Sequence, residues 1–223
     1  MCFHERTDIA MEKMRVAVIG YGGMGGSHVD SFANSEVVEL AGIWDIDEKR
    51  IEAAKSKGIH AYFSLEDLLS DKSVDIVTIA TPNDVHKDIA ITSMAAGKHV
   101  ICEKPVAMNS EELDAMIKAA EESGKVFSVH QNRRWDVDYL AMKHLSETGE
   151  IGEIINIESR IHGSRGIPSD WRGEEKHGGG MLYDWGVHLI DQIMMILGFD
   201  GIASVRCYFE HTTNFEVDDG CQL

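Results

Sequence analysis

The chain has 223 residues, 43% apolar and 26% charged, the balance of an ordinary folded protein of one or two domains. Its 21 Lys and Arg against 38 Asp and Glu give a formal charge of −17, spread over both halves, with no basic run to displace counterions from a nucleic acid. No apolar stretch approaches the ~20 residues of a membrane helix. Cys2, Cys102, Cys207 and Cys221 form no CxxC pair, so the expectation is reduced thiols in a cytoplasmic protein rather than a zinc cage or a disulfide framework.

Residues 1–13, MCFHERTDIAMEK, are polar and lack the apolar core of a signal peptide. They read as a disordered leader, with Met11 or Met14 as alternative starts. From Met14 to about residue 130 short apolar runs alternate with helical stretches. The runs MRVAVIG, VVELAGIWD, HAYF (weak), VDIVTIAT, KHVICEK and KVFSVHQ are expected as six strands. The intervening helices carry start and stop signals, such as Ser64 three residues before Asp67 and Gly58 closing the second helix. Strands apolar on both faces imply a parallel sheet covered on two sides, hence a doubly wound α/β domain over residues 14–130. Beyond residue 131 the pattern changes. DVDYLAMKHLSETGE and MLYDWGVHLIDQIMMILG read as helices, and GEIINIESRIHG and IASVRCYFEHT as long strands with one polar face. This predicts a partial α+β domain over 131–223 with a mostly antiparallel open sheet, cut short at its end. Exposed strand edges there would invite aggregation. Met194 and Met195 are expected as core filler.

Gly20-Tyr21-Gly22-Gly23-Met24-Gly25 matches GxGxxG. It follows a strand, opens a helix and precedes Asp45, 20 residues beyond Gly25, which is the context a dinucleotide site requires. Gly20 suits a tight turn, Gly22 close approach of backbone to a pyrophosphate, and Gly25 close helix–strand packing. The helix N-terminus supplies N–H groups and partial positive charge. Asp45 would accept hydrogen bonds from ribose hydroxyls and repel a 2′-phosphate, favouring NAD; Arg50 nearby keeps NADP open.

GYGGMG, TPNDVH after the fourth strand, EKP after the fifth, and GGGMLYDWGVHLID together resemble the Gfo/Idh/MocA oxidoreductases, the glucose–fructose oxidoreductase and inositol dehydrogenase relatives. The resemblance runs from about Met14 to the end. It implies a Rossmann domain and a substrate domain whose open sheet commonly pairs full-length subunits into homo-oligomers. Members are usually longer.

The chemistry of the residues is coherent with this. Oxidising a secondary alcohol moves a hydride to nicotinamide and a proton to a base, and histidine, with a pKa of about 6.5, suits that base. Asp184 and His188, four apart, share a helix face. The glycines at 178–180 are expected to let that face approach a substrate. By resemblance His188 is the general base, Asp184 orients the reacting hydroxyl, and Lys104 is the active-site lysine. Asp191 is the alternative partner for His188. Lys104 follows a strand, where ligands sit in such sheets, and could stabilise developing alkoxide charge. The X–Pro bond to Pro105 is a candidate cis bond. Glu103 is expected to contact cofactor or backbone. The resemblance implies cofactor contacts from Thr81, Pro82, Asn83 and His86, although His86 could equally be a plain helix-surface residue. Arg134, Trp171 and Arg172 are candidate substrate contacts, with interface salt bridges the alternative for Arg133 and Arg134, and packing for the tryptophan. His162, His177 and His211 show no ligand spacing, so no metal is expected.

The expected activity is NAD-dependent oxidation of a sugar, cyclitol or related polyol. The alternatives are a dinucleotide-binding fragment or sensor without turnover, and an NADPH-dependent reductase of an enone, imine or tetrapyrrole-like acceptor.

Overall fold

The computed structural model describes residues 12–163 and 166–223, so most of the expected leader lies outside the described residues. Five strands, β1 (Met14–Ile19), β2 (Val38–Trp44), β3 (Ile76–Ile79), β4 (His99–Glu103) and β5 (Phe127–His130), form one parallel sheet in the order β2-β1-β3-β4-β5. The order reverses beside β1, so the crevice above its C-terminal end is where a ligand belongs in such a sheet. Val16 to Ile19 and Val77 to Ile79 are all at most 1% exposed, which makes the central strands the core. Burying each such Ile or Val contributes roughly 1.5–3 kcal/mol.

Helices α1 (Gly23–Ala33), α2 (Glu48–Ser56), α3 (Leu65–Ser70), α4 (His86–Ala95) and α5 (Ser110–Ser123) connect the strands. Their starts follow side-chain chemistry. Asp47 accepts the N–H of Lys49, Ser64 that of Asp67, and Asn109 that of Glu112, caps worth about 1 kcal/mol each. HAYF does not become a sixth strand: only Ala61 bridges to Ile43, at the β2 edge, because the four residues offer one apolar face and no second neighbour.

The remainder departs further from expectation. Helix α6 (Val137–Thr148) forms, and a π-helical turn over Leu182–Gly186 leads into α7 (Val187–Leu197). The two expected long strands do not form. Among the described residues, 152–163 pair with nothing, and of the second strand only β6 (Tyr208–Glu210) remains, paired antiparallel with β7 (Gly220–Gln222). Alternating apolar residues encode a face, but a strand also needs a partner edge, and Ile155 is left 95% exposed. Met194 and Met195 are half-buried.

Candidate active site

A cleft of about 940 Å³ runs along the C-terminal ends of the strands, from the glycine turn to the π-helical turn. At one end, Gly20 adopts φ +92 and a Cβ there would sit 2.5 Å from the carbonyl oxygen of Ala80. Gly25 lies so close to the Gly20 carbonyl that a Cβ would reach within 2.9 Å of its carbon and nearer still to its oxygen. Gly22 differs. Its Cβ would meet only the Arg50 guanidinium, at 3.5 Å, an ordinary contact. The first turn of α1 has no side-chain cap and no acid, so its N–H groups face a space that a pyrophosphate would fill. Tyr21 is buried behind the turn and, like Gly25, does not line the cleft; Gly23 and Met24 do.

Asp45 is buried and saturated with donors: the N–H of Tyr21 (2.6 Å) and Arg50 Nη1 (3.2 Å) on Oδ2, and the N–H of Asp47 (2.8 Å) on Oδ1. It ties the end of β2 to the glycine turn, and the half-exposed Arg50 is the donor most readily exchanged for a ribose hydroxyl.

Thr81, Pro82 and Asn83 line the middle of the cleft, and Asn83 Nδ2 donates to the carbonyl of Gly178 at 2.8 Å, joining the two parts of the chain. His86 is neither on the surface nor in the cleft. It is fully buried, with its ring nitrogens 3.0 Å from the carbonyl of Pro105 and 3.1 Å from that of Thr81, and the single N–H of the neutral ring can donate to one of the two. Burial pushes its pKa down, only partly offset by those carbonyls.

At the far end, Lys104 precedes the cis bond to Pro105. Its Nζ donates to the main-chain oxygen of Asp184 (2.6 Å) and to its Oδ1 (3.0 Å). Arg172 Nε approaches the same Oδ1 at 3.4 Å. Burial alone would raise the Asp184 pKa, but Lys104 and then Arg172 outweigh it and hold the carboxyl ionised. His188 is 4% exposed and lines the same cleft, with Nδ1 3.0 Å from Gln131 Oε1. Burial, then Lys104 and Arg133, push its pKa down to about 4, so it is a neutral base at neutral pH. Asp191 is not its partner. Arg134 takes both Asp191 oxygens, at 2.7 and 2.6 Å, and lies outside the cleft, a structural pair. Trp171 and Arg172 both line the cleft, the guanidinium 4.5 Å from the indole centroid; Arg133 covers Trp185 in the same way at 4.1 Å.

Glu103 lines the cleft but turns its carboxylate inward, onto His28 Nε2 (2.7 Å) and His130 Nδ1 (2.9 Å). Burial pushes its pKa up, yet the two imidazoles more than offset this and hold it at about 2. The trio staples α1, β4 and β5 together beneath Lys104. The glycines at 178–180 line the cleft and also allow close packing within the protein. A Cβ at Gly179 would lie 2.7 Å from the Arg172 carbonyl carbon, and Gly180 lies against Asp218. Asp218 in turn accepts the N–H of Met181 (on its main-chain oxygen) and of Leu182 (on its carboxylate), both at 2.9 Å, capping the π-helical turn.

Compared with families of known proteins, residues 14–131 match the oxidoreductase family with an NAD-binding Rossmann fold, and residues 139–223 match the GFO/IDH/MocA C-terminal domain. The chain belongs to the Gfo/Idh/MocA oxidoreductase family. Within it, the chain is 32% identical to the scyllo-inositol 2-dehydrogenase (NADP(+)) IolW of Bacillus subtilis (strain 168), over 84% of this chain and 53% of that one. The crystal structure of an NAD-binding protein from Listeria innocua superposes with a TM-score of 0.89 at 47% identity, covering 94% of this chain and 62% of that one. The WlbA dehydrogenase from Bordetella pertussis, in complex with NADH and UDP-GlcNAcA, superposes with a TM-score of 0.82 at 27% identity, covering 96% and 65%. The chain spans about half the length of the curated Gfo/Idh/MocA relatives it matches. Among the described residues no helix is long and apolar enough to cross a membrane.

Proposed function

We propose that this chain carries the cofactor site and the proton-transfer groups of a dehydrogenase that oxidises a CH–OH group of a sugar, cyclitol or related polyol with NAD. One observation carries the reading. Lys104 from the sheet and Asp184 from the π-helical turn meet at 3.0 Å, in the cleft that also holds His188 and the glycine turn. The nicotinamide, when bound, supplies hydride-accepting chemistry. The residues present fit such a cofactor, because Gly22 leaves open the space that a Cβ would fill beside an uncapped helix start.

The chain's own groups divide the remaining work. Lys104 donates a hydrogen bond to the reacting oxygen, Asp184 holds Lys104 and accepts from a substrate hydroxyl, and His188 Nε2 takes the proton. A base held near a pKa of 4 is always available but weak. The electrostatic stabilisation of alkoxide character by Lys104 therefore carries more of the barrier reduction than the base does. Trp171 and Arg172 offer an apolar face and donors of the kind a sugar ring uses, and the inositol dehydrogenase relatives support that substrate class. Buried, anionic Asp45 at the ribose end supports NAD over NADP. The reading includes a cytoplasmic location, in keeping with the unpaired Cys102, Cys207 and Cys221. A full-length protein of this kind would form homo-oligomers.

The test is NADH formation across a panel of polyols. His188→Ala should lose most of kcat while keeping NADH affinity, and Asp45→Ser should shift the NADP-to-NAD preference at least ~10-fold toward NADP. Full turnover in His188→Ala would remove it as the base. A second reading, cofactor binding without turnover, is favoured by the unpaired 152–163 segment and by Phe215, 88% exposed. Tight NADH binding with no turnover on any polyol would establish it.

A further inference from the structure

We propose that Gln131 is a positioning residue that holds His188 as its Nδ1–H tautomer and leaves Nε2 as the proton acceptor. The inference rests on the reading of His188 as the base, and it concerns how that base is prepared.

Gln131 directly follows β5, and its own N–H is tied to the carbonyl of Val129 at 3.0 Å. Its amide makes two contacts with the start of α7. Nε2 donates to the main-chain oxygen of Val187 at 3.4 Å, and Oε1 lies 3.0 Å from His188 Nδ1. A carbonyl oxygen only accepts, so the Val187 contact requires the –NH2 end of the amide on that side. The oxygen end must then face the imidazole. An amide oxygen also only accepts, so Nδ1 must carry the hydrogen. The neutral ring has a single N–H, which leaves the lone pair on Nε2. Among the described residues Nε2 has no hydrogen-bond partner, and His188 lines the cleft.

An amide rather than a carboxylate at this position also matters. The charged groups acting on His188 are Lys104 and Glu103 at the end of β4, Arg133 in the turn after β5, and Asp184 in the π-helical turn, with the Trp185 ring edge-on at 6.1 Å. The two cations and burial disfavour the imidazolium, and the two acids only partly offset them. A carboxylate on Nδ1 would stabilise the protonated ring; the neutral amide orients it without doing so.

The experiment is nitrogen NMR of the imidazoles in the histidine-labelled 223-residue chain, with His188 assigned by difference from His188→Ala, at neutral pH and through an acid titration. The expected wild-type spectrum shows Nδ1–H, with or without NADH. Gln131→Leu should lose that bias. Gln131→Glu should keep Nδ1–H and move the His188 midpoint up by ~1–3 pH units, with the acid limb of kcat/KM moving alongside where turnover is measurable. A wild-type spectrum dominated by Nε2–H, or an unchanged tautomer in a folded Gln131→Leu, would overturn the proposal; the wild-type spectrum decides alone if that variant does not fold. Because the tautomer is read without turnover, Nδ1–H together with a fully active His188→Ala would refute the base and leave the Gln131 contact standing.

Discussion

The four glycines of the phosphate turn differ in what surrounds them, and alanine at each should fail in a different way. At Gly25 the new Cβ would lie 2.9 Å from the Gly20 carbonyl carbon and closer to its oxygen, whereas ordinary contact begins at 3.4 Å. Both atoms are backbone, so α1 must move off β1 by several tenths of an ångström or more. Overpacking of this kind costs roughly 1–3 kcal/mol, and at ~2–4 °C per kcal/mol the melting point should fall by about 2–12 °C. Gly20→Ala combines a left-handed φ of +92 with a 2.5 Å approach to Ala80 and should be at least as damaging. Gly23 has nothing within 4 Å and starts a helix, so alanine there should be neutral or stabilising by up to ~1 kcal/mol. Gly22 is the informative case. Its φ of −82 suits alanine and its only neighbour is the end of Arg50, so the fold should survive. The Cβ would stand where a pyrophosphate approaches, and NADH affinity should fall at least ~10-fold, since a displaced charge-assisted hydrogen bond is worth ~1.5–3 kcal/mol. Thermal melts by circular dichroism and fluorescence titration with NADH read the two effects separately. Unaltered NADH affinity in Gly22→Ala, or a wild-type melt in Gly25→Ala, would refute this account of the turn.

Lys104→Met should reduce kcat more than His188→Ala does, each by ~10²–10⁴, because the weak base leaves more of the barrier to electrostatics; the reverse ranking in steady-state assays would show that the base dominates. Arg134→Ala should lower the melting point by about 2–4 °C, the equivalent of ~1 kcal/mol for a half-exposed pair, without altering KM for the polyol; a raised KM with an unchanged melt would make Arg134 a substrate contact. His188 has its folded pKa held near 4, below the unfolded 6.5, so the unfolded chain binds the proton first and stability falls as pH drops through that window. The loss approaches ~3 kcal/mol in total, and since His86 is lowered as well, His188→Ala should remove only part of the slope between pH 6.5 and 4.5 in urea titrations. An unchanged slope in that variant would show that His188 titrates normally.

The legible parts of this molecule are those whose meaning is local. A β-branched run stopping at Gly20, the GxGxxG turn and the acid at the end of β2 each describe a conformation that the segment can adopt by itself. So does the cap at Ser64. The chemistry at strand ends, TPND and EKP, follows once the strands are placed. What could not be read depends on groups distant in sequence. Gln131 and His188 are 57 residues apart, and Glu103 meets a histidine 75 residues before it and another 27 after it. Nothing in those spacings marks the pairs. His86 and Arg134 show the opposite failure. Both carry functional chemistry and stand beside functional motifs, yet their hydrogen-bonding capacity is spent on carbonyls and on Asp191. The missing long strands follow the same logic, because alternation at Ile155, Ile157 and Ile161 defines two faces and leaves the pairing edge to other parts of a chain.

A protein of net charge −17 that holds an anionic dinucleotide must arrange a favourable field against its own average. At physiological salt the Debye length is ~8 Å, so most of that charge is screened at any one point, and the groups nearest the phosphates decide. Around the glycine turn those groups have the right sign. The first turn of α1 carries no acid, and the nearest charged side chain, Arg50, lies 3.5 Å from the Cβ position of Gly22. Asp45, beside the turn, is buried and accepts hydrogen bonds from Arg50 and two N–H groups. The same economy operates at the other end, where Lys104 and Arg172 share Asp184. There burial and the cations leave the imidazole unprotonated, and the cations keep the carboxylate ionised. Sequence-wide acidity is therefore compatible with a favourable local field at both ends of the cleft, because Asp45 and Asp184 are each matched to a cationic donor.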